Sequence, residues 1–198
     1  MRGATKGRGV RVIGGLLRGR RLSSPTGEET RPTSDRVREA LFNILSPAIE
    51  GALFLDGYAG TGAIGIEALS RGARRCVFVE SGRRPLRYLR ANLESLGLDA
   101  AAAVIARPFA TSAAIVAREG PFDIAFFDPP YGPGEILRAI RLAAAGAFLA
   151  EGGLLVAQHE TRMRLPEGEG RLTRERVARY GNTTLSFYRP AAGGPDAD

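Results

Sequence analysis

Ile124-Ala125-Phe126-Phe127-Asp128-Pro129-Pro130-Tyr131 is the stretch on which the reading of the chain turns. Its apolar half reads as a buried strand that stops at Asp128. The two prolines that follow remove backbone donors, so a hydrogen-bonded ladder has to end there. What remains is a stiff corner with a carboxylate, a proline carbonyl and an aromatic ring. In open parallel sheets, ligands sit beyond the carboxyl ends of the strands. This corner suits a planar base with an exocyclic amine. Asp128 and the Pro129 carbonyl accept the two amine hydrogens, Pro130 holds the turn, and Tyr131 stacks on the ring. A strand-ending turn with a capping Asp would use the same residues, so the rest of the chain has to decide.

Working outward, strand and helix patterns alternate from residue 52 onward. Strands read over 52–56, 76–80, 102–106, 122–128 and 154–159, and helices over 63–71, 85–96, 109–118 and 135–145. Leu86, Leu89, Leu93 and Leu96 form an apolar stripe on the second of these helices. The strands are continuous apolar runs, as expected where helices cover both faces of a parallel sheet. Residues 172–180 and 183–188 flank Gly181-Asn182 as a C-terminal hairpin. Upstream, Thr33 or Ser34 caps a helix with Asp35 in its first turn, and Val37, Leu41, Ile44 and Leu45 give it one apolar face up to the Ser46-Pro47 break. Val10-Arg11-Val12-Ile13 reads as a strand, Gly14-Gly15 as a turn, and residues 16–22 as the returning strand of a small basic hairpin. The fold expected is α/β, Rossmann-like and doubly wound. Residues 1–32 form a basic extension, 33–190 the main domain, and 191–198 a disordered tail.

A length of 198 residues, 44% of them hydrophobic and 25% charged, fits one soluble globular domain, and a monomer is expected. The lone Cys76 and lone His159 exclude a disulfide framework and a histidine- or cysteine-rich metal centre, so no metal is expected. No run approaches the roughly 20 apolar residues of a membrane span, and the basic start has no apolar segment behind it. Cytoplasmic residence is therefore the default expectation. Arg2, Lys6, Arg8, Arg11, Arg18, Arg20, Arg21, Arg31, Arg36 and Arg38 stand against Glu28, Glu29 and Asp35 in the first 38 residues; ten against three is +7, the whole net charge of the chain. A basic arm on a neutral body is an electrostatic handle for nucleic acid. Removing residues 1–22 is accordingly expected to spare cofactor affinity and weaken RNA binding.

Asp56 ends the first strand of the alternating region, and Gly57-Tyr58-Ala59-Gly60-Thr61-Gly62-Ala63-Ile64-Gly65 follows. Gly60, Gly62 and Gly65 have the spacing of a dinucleotide loop. Glu80, at the end of the next strand, is placed to accept hydrogen bonds from both hydroxyls of an adenosine ribose. A carboxylate at the strand end would repel a pyrophosphate. It suits S-adenosylmethionine, which has no phosphate and carries an ammonium and a sulfonium. Asp56 serves that cofactor directly or through water, and Gly60 and Gly62 let the backbone come close. Tyr58 reads as a loop tyrosine packed on the core.

These residues resemble the bacterial 16S ribosomal RNA guanine-N2 methyltransferase family called RsmD, from about residue 10 to residue 189. The resemblance rests on Val12-Ile13-Gly14-Gly15 with Arg18-Gly19-Arg20, on Arg31-Pro32-Thr33-Ser34-Asp35-Arg36-Val37-Arg38-Glu39, on Asp56 to Gly65 with Glu67-Ala68-Leu69-Ser70-Arg71-Gly72, and on Asp128 to Tyr131. It implies a seven-stranded methyltransferase sheet and closure of Arg31 to Thr33 over the cofactor. It also implies 16S RNA, within a small-subunit particle, as the partner. Related enzymes often have an acid after the third strand; Ile105-Ala106-Arg107-Pro108-Phe109 has none. Backbone groups and packing against Phe109 are expected to hold the adenine instead.

The chemistry expected is transfer of a methyl group from a sulfonium to a guanine N2 amine, with Asp128 stabilising the charge that grows on nitrogen. Arg11, Arg18, Arg20, Arg21, Arg36 and Arg38 are candidate phosphate contacts, and His159 and Glu160, at the end of the fifth strand, candidate substrate contacts. A DNA adenine-N6 methyltransferase would share the chemistry, but it usually carries a larger region for sequence readout. A non-catalytic RNA-binding assembly factor would leave Asp128 and Glu80 without a task. An NAD-dependent oxidoreductase leaves Asp128 to Tyr131 unexplained.

Overall fold

The structure, a computed structural model, describes residues 10–25, 35–130, 132–146 and 148–191. Arg31, Thr33, Tyr131 and the tail at 192–198 lie outside the described residues. The chain runs α1 (Asp35–Ile49), β1 (Leu53–Asp56), α2 (Ala63–Ser70), β2 (Arg75–Val79), α3 (Arg83–Leu96), β3 (Ala102–Ile105), α4 (Ala113–Glu119), β4 (Phe122–Phe127), α5 (Gly132–Ala145), β5 (Leu149–Glu160), β6 (Gly168–Glu169), β7 (Leu172–Tyr180) and β8 (Thr183–Pro190). One sheet has the order β3-β2-β1-β4-β5-β8-β7-β6. The first five strands in that order are parallel, and the last three add antiparallel.

The two-residue alternation of a strand divides the core. Phe54, Phe78, Ile124, Phe126 and Val156 face one layer, which holds α1, α2 and α3. Leu55, Val77, Ala125, Phe127 and Leu155 face the other, with Val116 of α4 and Ile136, Ala139 and Ile140 of α5. Both faces of the central strands β1 and β2 and of the Ile124–Phe127 run of β4 are therefore buried, as their apolar sequences demand, while the edge strand β3 is mostly half-buried.

Four expectations change. The sheet has eight strands, not seven: β6 is two residues long, pairing Gly168 with Thr173 and Glu169 with Leu172, too short to leave a periodic pattern. The first helix passes through Pro47 to the buried Ile49, because a proline in the last turn removes a single intrahelical bond. The helix expected over 109–118 is a 3-10 turn (Phe109–Thr111) followed by α4, with the Thr111 and Ser112 hydroxyls both donating to the Pro108 carbonyl.

The fourth concerns the basic hairpin. It is a ladder with one bridge, Arg11 with Arg21, closed by Val12 N–H to Arg20 O at 2.9 Å and Leu22 N–H to Val10 O at 2.8 Å. Residues 16 and 17 do not return as strand, because their N–H groups bond α2 instead: Leu16 to the Ser70 carbonyl and Leu17 to the Ser70 hydroxyl. Gly15 permits this approach, since its φ is 77° and a Cβ there would lie 1.8 Å from the Ser70 oxygen. Val12 and Leu22 are buried in the α1–α3 layer. A truncation after residue 22 would remove them from the core, so it does not isolate an electrostatic effect.

Candidate active site

The sheet lines up four side chains along its carboxyl edge. Glu80 follows β2, Asp56 closes β1, Asp128 follows β4, and Gln158 lies in β5, where Phe127 is in register with Ala157. Strand order alone brings together residues up to 102 positions apart in sequence (Asp56 and Gln158).

Glu80 organises one end of this edge. Its Oε2 accepts the Gly60 N–H at 2.8 Å, and its Oε1 accepts the Gly82 N–H at 2.6 Å. The glycine loop is thereby tied to the end of β2. Gly60 and Gly62 both have positive φ, 55° and 88°. A Cβ on Gly60 would meet nothing within 4 Å, so the loop presents open space there; a Cβ on Gly62 would lie 2.5 Å from Leu89 Cδ1. Gly60 thus faces a space and Gly62 serves packing. The two glycines have different physical reasons.

Asp56 is 1% exposed. Its Oδ2 accepts the Gly65 N–H at 3.0 Å, in the first turn of α2. Burial pushes its carboxyl up to about 7; the Gly65 N–H opposes this, the charges of Asp128 and Glu80 add to it, and the Tyr58 N–H opposes it again. Asp56 is therefore a carboxyl poised between its two forms near neutral pH.

At the corner, Gln158 Nε2 donates to Asp128 Oδ2 at 2.8 Å. Only the amide nitrogen can donate to a carboxylate, which fixes the orientation of the amide. Asp128 and Pro129 are half-buried and Pro130 is exposed. Tyr58 is half-buried, donates to Glu135 of α5 at 3.1 Å, and has its ring edge-on to Phe127. Burial first, and Glu135 next, raise its hydroxyl pKa, so it stays neutral.

Other candidates sit elsewhere. Phe109 is 2% exposed and packs with its ring 4.7 Å from Phe127 and 5.6 Å from Tyr58, so it is a core residue and offers no open face for an adenine. Arg38 is fully buried, donating to the Arg11 carbonyl at 2.5 Å and to Asp35 at 3.1 Å, and it does not reach solvent or phosphate. His159 lies between the Glu160 carbonyl on Nδ1 and the Ser186 hydroxyl on Nε2, both at 2.9 Å. The carbonyl only accepts, so Nδ1 carries the proton and Nε2 accepts from Ser186. Burial lowers the His159 pKa and keeps the ring neutral, which makes it a link between β5 and β8. Glu160 pairs with Arg162 at 2.5 Å. Arg11, Arg18, Arg20, Arg21 and Arg36 are exposed.

Two residues stand out that the sequence did not single out for the site. Gln158 is one. Glu67, 0% exposed, is the other: it accepts the Ile13 and Gly14 N–H groups at 2.7 and 2.8 Å and Arg71 Nε at 2.7 Å, with Arg38 Nε 4.0 Å away. A glutamate inside the otherwise apolar Ala63–Ser70 segment is the signal that marks it.

With this geometry in hand, comparison with known proteins is specific. A ribosomal RNA small subunit methyltransferase D of Escherichia coli is 39% identical over 193 residues, covering 96% of this chain and 94% of that protein. A solved Escherichia coli structure described as a methyltransferase candidate, yhhF, superposes with a TM-score of 0.81 at 34% identity, covering 93% and 99% of the two chains. An RNA methyltransferase of Salinibacter ruber, solved with S-adenosyl-L-homocysteine, shares the fold at a TM-score of 0.65 and 16% identity over 84% and 97%. The family model described as Conserved hypothetical protein 95 matches residues 10–189, and the chain belongs to that family, the RsmD family.

Proposed function

We propose that this protein methylates the exocyclic N2 amine of a guanine in small-subunit ribosomal RNA, using S-adenosylmethionine. The observation that carries the reading is the single edge formed by Glu80, Asp56, Asp128 and Gln158, with nucleoside-binding features at one end and the Asp-Pro-Pro corner at the other. The chain's residues fit the cofactor. Gly60 borders open space and Glu80 is already oriented with lone pairs left for ribose hydroxyls; Asp56, buried beneath the loop, acts on the cationic groups through its charge rather than by open contact. Names of relatives support ribosomal RNA as the substrate class.

S-adenosylmethionine supplies an electrophilic methyl group on a sulfonium. The protein has to present the amine in line with it. Asp128 and the Pro129 carbonyl each accept an amine hydrogen, which draws nitrogen toward tetrahedral geometry and frees its lone pair. Asp128 stabilises the positive charge as it develops and takes up the proton that nitrogen then loses. Gln158 fixes the plane of that carboxylate. Pro130 rigidifies the turn, and Tyr131 provides the stacking face for an unpaired base. Incubation with labelled cofactor and either small-subunit particles or DNA, followed by mapping of the modified base, tests the reading. Label on an adenine of DNA and none on RNA would reverse it.

Glu80→Ala is expected to weaken S-adenosylmethionine and its demethylated product alike, by about 1.5–3 kcal/mol, the scale of hydrogen bonds to a charged group. Calorimetry with both ligands checks this.

Asp56 gives a pH signature. Its folded pKa, about 7, lies above its ordinary 3.8, so folding favours the protonated form. The contribution of Asp56 to the stability of the ligand-free protein is therefore fully present below about 4 and lost as pH rises through about 7. Affinity for the cationic cofactor should move the other way, rising through pH 7 with release of a proton on binding. Asp56→Asn should flatten both profiles, read by denaturant titration and by calorimetry in buffers of different ionisation enthalpy. A wild-type affinity profile that is flat from pH 6 to pH 8 would remove Asp56 from the cofactor site.

A further inference from the structure

The neutral total charge of residues 39–198 hides a separation. α3 opens Arg83-Arg84-Pro85-Leu86-Arg87-Tyr88-Leu89-Arg90, with no acid until Glu94. Arg83, Arg87 and Arg90 have i, i+4, i+7 spacing and share one helix face. All three are exposed, and among the described residues none is in an ion pair. The arrangement opposes the helix's own dipole. The positive end of a helix favours acids, yet the first turn of α3 has none and begins with two arginines, while Glu94 stands near the negative end. Neither dipole nor pairing stabilises these charges within the protein, and such violations of local preference mark functional surfaces.

Position adds a direction. α3 begins directly after Gly82, whose N–H is held by Glu80 at the rim of the nucleoside pocket. At its far end Arg20 of the basic ladder donates to the Ser95 carbonyl at 3.2 Å. The helix is about 21 Å long at 1.5 Å per residue; Arg83, Arg87 and Arg90 cover about 10 Å of it from the pocket rim, and Glu94 ends the stripe on the same face before Ser95. We propose that the Arg83–Arg87–Arg90 face of α3, beside the pocket rim, carries the phosphate backbone of the RNA substrate. The inference rests on the RNA reading above and extends it to a surface that the net charge of the sequence does not disclose.

The test is a triple variant, Arg83→Ala with Arg87→Ala and Arg90→Ala. It is compared with full-length parent and with a control triple that removes equal charge elsewhere, Arg74→Ala with Arg118→Ala and Arg141→Ala. Binding to a small-subunit RNA fragment is titrated over a salt series, and S-adenosylmethionine binding and thermal unfolding are measured alongside. The α3 variant should retain the parental melting temperature and cofactor affinity. Its log–log salt slope should shrink by roughly 2, at about 0.7 per phosphate on a single strand, and the control triple should keep the parental slope. An α3 variant with the parental slope, while the parent binds RNA, would overturn the α3 surface and leave the RNA reading standing. Equal loss in both triples would also overturn it, since bulk charge would then suffice. A parent that shows no salt-dependent RNA binding would overturn both.

Discussion

Asp128→Ala should leave the cofactor bound and turnover reduced by roughly 10²–10⁴-fold, the range for a lost group that acts on charge and protons in the transition state. The carboxylate's partner charge exists only while nitrogen is being methylated, so its loss falls on kcat rather than on ground-state affinity. A second readout separates this from misfolding. Asp128 is one of the charges that raise the Asp56 pKa, so the midpoint of the cofactor-affinity profile should move to lower pH in the variant. Single-turnover assays and pH-resolved calorimetry give both. Near-parental turnover would take Asp128 out of the chemistry. Gln158→Ala should lower kcat less and leave KM for RNA unchanged, because it acts through Asp128.

The largest stability effect is expected at Glu67. Glu67→Ala leaves two backbone N–H groups without their acceptor and removes the partner charge of Arg71 and of the fully buried Arg38, whose Nε already lacks a hydrogen bond among the described residues. Removing one partner of a buried ion pair costs about 3–5 kcal/mol when the other charge is left uncompensated; Arg38 keeps Asp35 and the Arg11 carbonyl, so the loss should fall toward about 3 kcal/mol. Burial already lowers the Arg38 pKa, held up by Glu67 first and then Asp35, so the variant makes a poor situation worse. Urea titration should show the loss. Limited proteolysis should show the ladder at residues 10–22 cut before the rest of the chain. Parental stability would mean that water replaces Glu67, and that the cluster is less enclosed than its exposure indicates.

The parallel part of the sheet was legible because strands covered on both faces have to be continuously apolar, and helices between them have to be amphipathic. Asp56, Glu80 and Asp128 were legible for the same reason: each is the first charge after such a run. Gln158 was not, since it lies inside a strand and matters only through the register of β4 with β5, which no local pattern encodes. Arg38 was misread although it sits between Val37 and Leu41 on the buried stripe of α1, where a charged residue signals a buried partner rather than solvent. Phe109 was misread because a residue just past a strand reads as a lining residue, whereas the 3-10 turn tucks it into the core. The length of α1 and the two-residue β6 depend on tertiary contacts that outweigh the local proline and the absence of a pattern.

α2 has one further consequence. It is eight residues long, a rod of about 12 Å at 1.5 Å per residue. At one end is Gly62 and the loop tied to Glu80; at the other are Glu67 and Ser70, from which the basic ladder hangs. A short helix does not bend appreciably, so any tilt that accommodates a ligand at its start is delivered undiminished to the ladder at its finish. The exchange is symmetrical: whatever factor the cofactor imposes on affinity at the ladder, an occupant of the ladder imposes on the cofactor. Order of addition would then leave the final complex unchanged while changing which component waits for the other.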